Sequence, residues 1–101
     1  SRAGAVLDAA LNAREPWVRQ LGPTPNDAHA RRLWRQHARV VAAYRDRYAI
    51  TDSTPLGITT ESTAQKIDRA RAEAALNELS RRDPADEPRR PAQQVSRQRE
   101  L

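Results

Sequence analysis

The sequence predicts an all-α protein: a small domain of three antiparallel helices with a disordered C-terminal tail. Apolar residues recur at helical spacing in three separate segments. Clusters of proline, glycine and short polar residues at 22–25 and 52–57 separate these segments. Alanine, the best helix former, accounts for 18 of the 101 residues. We therefore expect a helical domain over residues 1–82 and a disordered tail over 83–101.

The first helix is predicted over about residues 3–21, with a break at Pro16. Its apolar face carries Val6, Leu7, Ala10 and Leu11. Pro16 can start a second short helix, because a proline at the first helical position lacks only an N–H that would be unpaired anyway. The run Gly22-Pro23-Thr24-Pro25 then ends the helical segment.

The second helix, predicted over residues 27–48, has the clearest pattern. Asn26 or Asp27 can cap it, because a short side-chain oxygen accepts a free first-turn N–H. Its aromatic face follows a 4-3-4-3-4 spacing: Ala30, Trp34, His37, Val41, Tyr44 and Tyr48. At 100° per residue, the opposite face carries Arg31, Arg32, Arg35 and Arg39. All the aromatic residues lie in the first half of the chain, so we expect the core to centre there.

The third helix is predicted over residues 61–82. Ser62 to Gln65 has the spacing of a capping box, and Thr59 or Thr60 could cap instead. We expect its buried face to comprise Ala64, Ile67, Ala70 or Arg71, Ala74, Leu76 and Leu79. The tail has three prolines, eight charged residues and one valine, a composition typical of disorder.

The composition excludes several classes of function. No cysteine is present, so neither disulfides nor thiolate metal sites can form. No apolar run approaches the roughly 20 residues of a membrane span, and no secretion signal is visible, so we expect a cytoplasmic protein. The chain starts at Ser1 directly in helix-like sequence, which suggests a fragment of a larger protein.

The titratable residues do not form a recognisable catalytic set. His29 and His37 are two helical turns apart, farther than zinc ligands on a helix usually are, so we expect His37 to be half-buried and His29 exposed. Asp46, Asp52 and Glu61 show no pattern of burial that would shift their pKa values. No nucleophile–base pair and no phosphate-binding glycine loop is present. We predict no enzymatic activity, no metal, no cofactor and no small-molecule substrate.

The arginine face of the second helix is the main candidate for binding. Residues 26–48 carry six arginines against two aspartates, whereas the whole chain has a net charge of +5. Guanidinium groups can bind phosphates or carboxylates. The alternative is an ordinary solvated helix face. Trp17 and Trp34 could stack on single-stranded bases, but tryptophans at helical spacing are more typical of a core.

The segment from Pro16 to Gly57 resembles actinobacterial conjugative relaxase–helicases of the TrwC/TraI type (MobF class), in the region C-terminal to their helicase motifs. The similar elements are Pro16-Trp17, Leu21-Gly22-Pro23, Trp34, Val41 to Tyr48, and Pro55 to Gly57. These families nick plasmid DNA with a tyrosine and a histidine-bound metal and then unwind it. The corresponding three-histidine cluster, tyrosine run and nucleotide-binding loop do not occur here. Tyr44 and Tyr48 are therefore not assigned as nicking tyrosines.

Three hypotheses follow for the function. In the first, the chain is a non-catalytic accessory module of a conjugative relaxase that contacts relaxosome or secretion-channel proteins. Its arginine face would then meet an acidic partner. In the second, the same face binds DNA directly. In the third, the chain is a purely structural spacer.

Overall fold

The computed structural model describes residues 1–58, 60 and 62–81, and the predicted tail lies outside these residues. The described part is all-α, as predicted, and contains no strand. Helix α1 spans Arg2–Ala13, a 3₁₀ helix spans Pro16–Leu21, α2 spans Ala28–Arg47 and α3 spans Thr63–Arg81.

The break at Pro16 is confirmed. Helix α1 begins where the Ser1 hydroxyl accepts a hydrogen bond from the Gly4 N–H at 3.2 Å. It ends at Arg14, whose φ of 54° lies in the left-handed region. Glu15 is extended, and Pro16 then starts the 3₁₀ helix. Gly22, with φ of 78°, ends that helix, in a conformation that glycine adopts at little cost.

Helix α2 matches the predicted helix closely. Its cap is Asp27, whose carboxylate accepts from the Ala30 N–H at 2.8 Å. The predicted burial of Ala30, Trp34, Val41 and Tyr44 is confirmed, whereas His37 and Tyr48 are only partly buried. The buried side also includes three residues that were not predicted: Ala38, Ala42 and Arg45. His37 is half-buried and His29 exposed, as predicted.

Helix α3 has the expected position, and the predicted burial of Leu79 and Leu76 is confirmed, but the rest of its predicted buried face is wrong. The Ser62 hydroxyl caps the helix by accepting from the Gln65 N–H at 3.0 Å. The buried residues are Gln65, Ala72, Ala75 and Leu79, with Leu76 partly buried. The predicted core positions Ala64, Ile67, Ala70, Arg71 and Ala74 are exposed. Gln65 belongs to the same buried side as Ala72 and Leu79, and its amide donates there to the Tyr44 hydroxyl at 3.1 Å.

Both α1 and α3 pack along α2, and both run antiparallel to it. Arg2 at the start of α1 pairs with Asp46 at the end of α2. Likewise, the Tyr48 hydroxyl at the end of α2 donates to Asp68 near the start of α3. The core lies around α2, and its largest fully buried side chains are Trp17, Leu7, Leu21 and Val41.

The tryptophans belong to this core, as predicted. Trp17 and Trp34 are 2% and 3% exposed. The Trp34 indole N–H donates to the Leu21 carbonyl at 3.0 Å, and the Trp17 indole N–H donates to Glu15 at 2.8 Å. Neither ring is open for base stacking.

The connector between α2 and α3 is held by two arginines. Arg45 donates from one nitrogen to the carbonyls of Thr54 and Pro55, at 2.9 and 3.0 Å. Arg69 donates to the next two carbonyls, those of Leu56 and Gly57, at 2.9 and 3.1 Å. Four consecutive backbone carbonyls therefore receive guanidinium donors, and the first of them, that of Thr54, also accepts from the Gly57 N–H at 3.4 Å.

Candidate functional site

The four predicted binding arginines of α2 have different surroundings. Arg31 and Arg32 are exposed, whereas Arg35 and Arg39 are half-buried on the side facing α1. The structure brings Arg32, Arg35 and Arg39 together and separates Arg31 from them. The predicted arginine face is thus only partly available to a ligand.

Two of the four guanidinium groups are engaged within the fold. Arg31 donates to the backbone carbonyls of Pro25 and Asn26, at 3.2 and 2.9 Å. It therefore braces the turn that leads into α2. Arg35 pairs with Asp8 of α1 at 3.0 Å. Since the Asp8 side chain is 58% exposed, this pair is solvated and its stabilising effect is small.

The other two arginines have no carboxylate partner among the described residues. Arg32 lies with its Nη2 atom 3.5 Å from Nδ1 of His29. The side chain of Arg39 runs beside Gly4 of α1: a Cβ atom added at Gly4 would lie 3.7 Å from the Cδ atom of Arg39. These side chains surround a shallow depression of about 350 Å³. It is lined by His29, Arg32, Leu33, Arg35, Gln36 and Arg39, and we call it the cationic patch.

A second depression lies between α2 and α3, with a volume of about 280 Å³. Its apolar lining consists of Val40, Ala43, Tyr44 and Tyr48, and its charged lining of Arg47, Asp68 and Arg71. We call it the α2/α3 groove. The sequence reasoning missed this site, although an exposed valine at position 40, seven residues after Leu33, was a visible signal.

The charges of the α2/α3 groove converge on one carboxylate. Asp68 accepts from the Tyr48 hydroxyl at 2.6 Å and lies 3.2 Å from Arg47 and 3.8 Å from Arg71. The hydrogen bond to Asp68 raises the pKa of Tyr48, so this phenol stays protonated. The Arg47 guanidinium also lies 5.4 Å from the centre of the Tyr48 ring, a cation–π contact.

Arg45 is buried, although it was not among the residues predicted for the buried side of α2. Its neighbours at helical spacing, Trp34, Ala38 and Val41, are all buried, and Arg45 itself is 7% exposed. The guanidinium carbon lies 4.7 Å from the centre of the Trp17 ring. Burial lowers the pKa of Arg45 from its ordinary value, and the carboxylates of Glu15 and Asp52 oppose this shift. Arginine nevertheless stays charged.

Asp46 and Asp52, the two described carboxylates among the acid–base candidates, do not line a common depression. Arg2, by its hydrogen bond, holds the pKa of Asp46 below its ordinary value. Asp52 is exposed in the connector, and Glu61 lies outside the described residues. Within the described ranges, histidine and acidic side chains form no group of three or more that could hold a metal ion.

Comparison of the chain with known protein families, with curated proteins and with solved structures finds no match. In the described part of the chain, none of the helices is both long and apolar enough to cross a membrane.

Proposed function

We propose that this chain is a non-catalytic helical interaction module of a cytoplasmic conjugative DNA-transfer relaxase, and that it contacts an acidic protein partner. The sequence resemblance between Pro16 and Gly57 supports the assignment to a relaxase. The observation that carries the interaction is the cationic patch. There, Arg32 and Arg39 flank Arg35 without carboxylate partners of their own among the described residues.

The geometry of the cationic patch favours a protein over DNA. Arg31 is committed to backbone carbonyls and Arg35 is partly neutralised by Asp8. Two to three cations remain, which corresponds to a salt-dependence slope of only about −2 to −3 on duplex DNA. Leu33 adds an apolar contact in the same depression, which suits a protein surface better than a phosphodiester chain.

Binding of two labelled probes tests this proposal. One probe is a short polyglutamate peptide and the other is a duplex oligonucleotide, each titrated against the chain at several salt concentrations. We expect saturable binding of the peptide at low salt, weakened by Arg39→Glu. The matched control is Arg19→Glu, which changes the net charge equally from an exposed position on the 3₁₀ helix.

Three outcomes would overturn the proposal as stated. Binding of neither probe at low salt would leave the chain as a structural spacer. Tighter binding of the duplex, with a slope steeper than about −3, would make the patch a DNA-binding site. Equal effects of Arg39→Glu and Arg19→Glu would show that net charge, and not the cationic patch, attracts the peptide.

A further inference from the structure

The α2/α3 groove exposes apolar surface that the fold itself does not cover. Val40 is 39% exposed, one of the few large apolar side chains with such exposure. Ala43 lies next to it, one turn before Arg47. Tyr44 and Tyr48 form the wall towards α3, with ring centres 5.0 Å apart.

The rim of the groove has more positive than negative charge. The side chains of Arg47 and Arg71 are 65% and 75% exposed. Among the described residues, the carboxylate that both of them approach is that of Asp68, at 3.2 and 3.8 Å. The same carboxylate already accepts the hydrogen bond of Tyr48. Two cations therefore share one anion, and the mouth of the groove retains about one positive charge.

The spacing along α2 fits a helical partner. Val40, Ala43 and Arg47 lie at positions i, i+3 and i+7 of α2, so they form one exposed stripe beside the groove. One helix packs against another along a stripe of this spacing, and an amphipathic helix can lay its apolar face into a groove between two helices. Val40 and Ala43 mark the apolar contacts, and Arg47 marks the charged one.

We propose that the α2/α3 groove binds an amphipathic helix of another protein that carries a carboxylate beside its apolar face. The apolar face covers Val40 and Ala43, and the carboxylate pairs with Arg47 and Arg71. This site is separate from the cationic patch, and binding in the groove does not require the patch to bind anything.

Charge argues against a second copy of this chain as the occupant. A two-fold symmetric contact places the same surface of both copies together. Two surfaces that each retain about one positive charge would then face each other, and this net repulsion disfavours the contact. A partner that supplies a carboxylate meets no such repulsion.

A pair of synthetic helical peptides tests the groove. Both carry leucines at i, i+3, i+4 and i+7, and the flanking positions are glutamate in one peptide and lysine in the other. We expect the glutamate peptide to bind more tightly, and its binding to shift the amide NMR signals of Val40, Ala43 and Tyr48.

Two variants probe the two features of the groove. Arg71→Glu should weaken binding about fivefold or more, because it reverses a rim charge. Its control is Arg81→Glu, since Arg81 is also exposed on α3 and also lies beside an acidic residue three positions earlier.

Val40→Asn should weaken binding about tenfold by removing apolar contact. Its control is Ile58→Asn, at an exposed isoleucine that does not line the groove.

Several results would overturn the groove proposal. One is equal or tighter binding of the lysine peptide, and another is equal weakening by Arg71→Glu and Arg81→Glu. A loss of binding in Arg39→Glu but not in Arg71→Glu would place the peptide on the cationic patch instead. Sedimentation that showed a dimer of the wild type, dissociated by Val40→Asn, would identify the occupant as a second copy.

Discussion

Replacing Arg45 with alanine removes a buried cation that joins three segments of the fold. The guanidinium group of α2 contacts the Trp17 ring of the 3₁₀ helix at 4.7 Å. It also donates to Thr54 and Pro55 in the connector. We therefore expect Arg45→Ala to loosen the 3₁₀ helix and the connector together.

The size of the stability loss depends on whether water can replace the guanidinium group as the hydrogen-bond donor to each carbonyl. Thr54 is exposed, so water can hydrate its carbonyl in the variant. Pro55 is buried, and a buried carbonyl left without a donor costs about 1–3 kcal/mol. Loss of the cation–π contact with Trp17 costs about 1 kcal/mol more.

The cost of burying the Arg45 charge acts in the opposite direction. Burial of a charge disfavours folding, as the lowered pKa of Arg45 shows, and the variant is relieved of this cost. The carboxylates of Glu15 and Asp52 already offset part of it. We expect the losses to prevail, and the free energy of unfolding to fall by about 2–3 kcal/mol.

Urea unfolding followed by far-UV circular dichroism measures this difference. The expected loss lowers the urea midpoint by about 1–2 M at an unchanged slope. Arg45→Met separates the contribution of the alkyl stem from that of the charged group, and Arg81→Ala serves as an exposed control. A midpoint of Arg45→Ala equal to that of Arg81→Ala would refute the assignment of a structural role to the guanidinium group.

Three further predictions concern the core, a helix cap and a surface ion pair. Trp34→Ala should lower the free energy of unfolding by about 3–5 kcal/mol, because the ring is almost fully buried, and an unchanged melting temperature would contradict this. Asp27→Ala should cost about 1 kcal/mol in urea unfolding and Asn26→Ala much less; equal costs would mean that the Asp27 cap contributes nothing. An NMR titration should show the pKa of Asp46 rising in Arg2→Ala. The stabilisation by this pair is full above about pH 4 and is lost as the pH falls through the lowered pKa, so an unshifted titration would show that the pair does not form in solution.

The position and orientation of α2 could be predicted from the sequence because its two sides differ strongly in residue type. Large apolar residues such as Trp34 and Val41 recur every three or four positions and mark the buried side. The choice between Asn26 and Asp27 as cap could not be made in this way, since both side chains carry a suitable oxygen. Only the backbone geometry selects Asp27.

The orientation of α3 could not be predicted because alanine gives little information about burial. Ala64, Ala70, Ala72, Ala74 and Ala75 lie on several sides of the helix, and each is equally compatible with core or surface. The buried side of α3 carries a hydrogen bond from Gln65 to Tyr44. It links two residues that are 21 positions apart, and no local pattern encodes it.

The candidate sites were predicted only in part for a related reason. Charge and helical spacing identified the arginines of α2 but not their partners. Asp8, which neutralises Arg35, lies on another helix, and so does Asp68, on which the rim of the groove depends. Residue type alone does not mark Arg45 as buried, because arginine is almost never fully buried without partners. Its partners are backbone carbonyls, which no residue type reveals.

Arginine has two separate roles in this fold, and the difference bears on how the net charge is interpreted. One group is bound to carbonyls or carboxylates that brace the structure: Arg31, Arg35, Arg45 and Arg69. A second group lines the two depressions with its charge little compensated: Arg32, Arg39, Arg47 and Arg71. In the connector, guanidinium groups hold the backbone carbonyls on either side of the buried Leu56 side chain, and so add to the apolar contact rather than replace it. On α2, the cations available to a partner are therefore fewer than its six arginines suggest. Those on α2 lie along its outer side, where an extended acidic surface could contact both depressions at once.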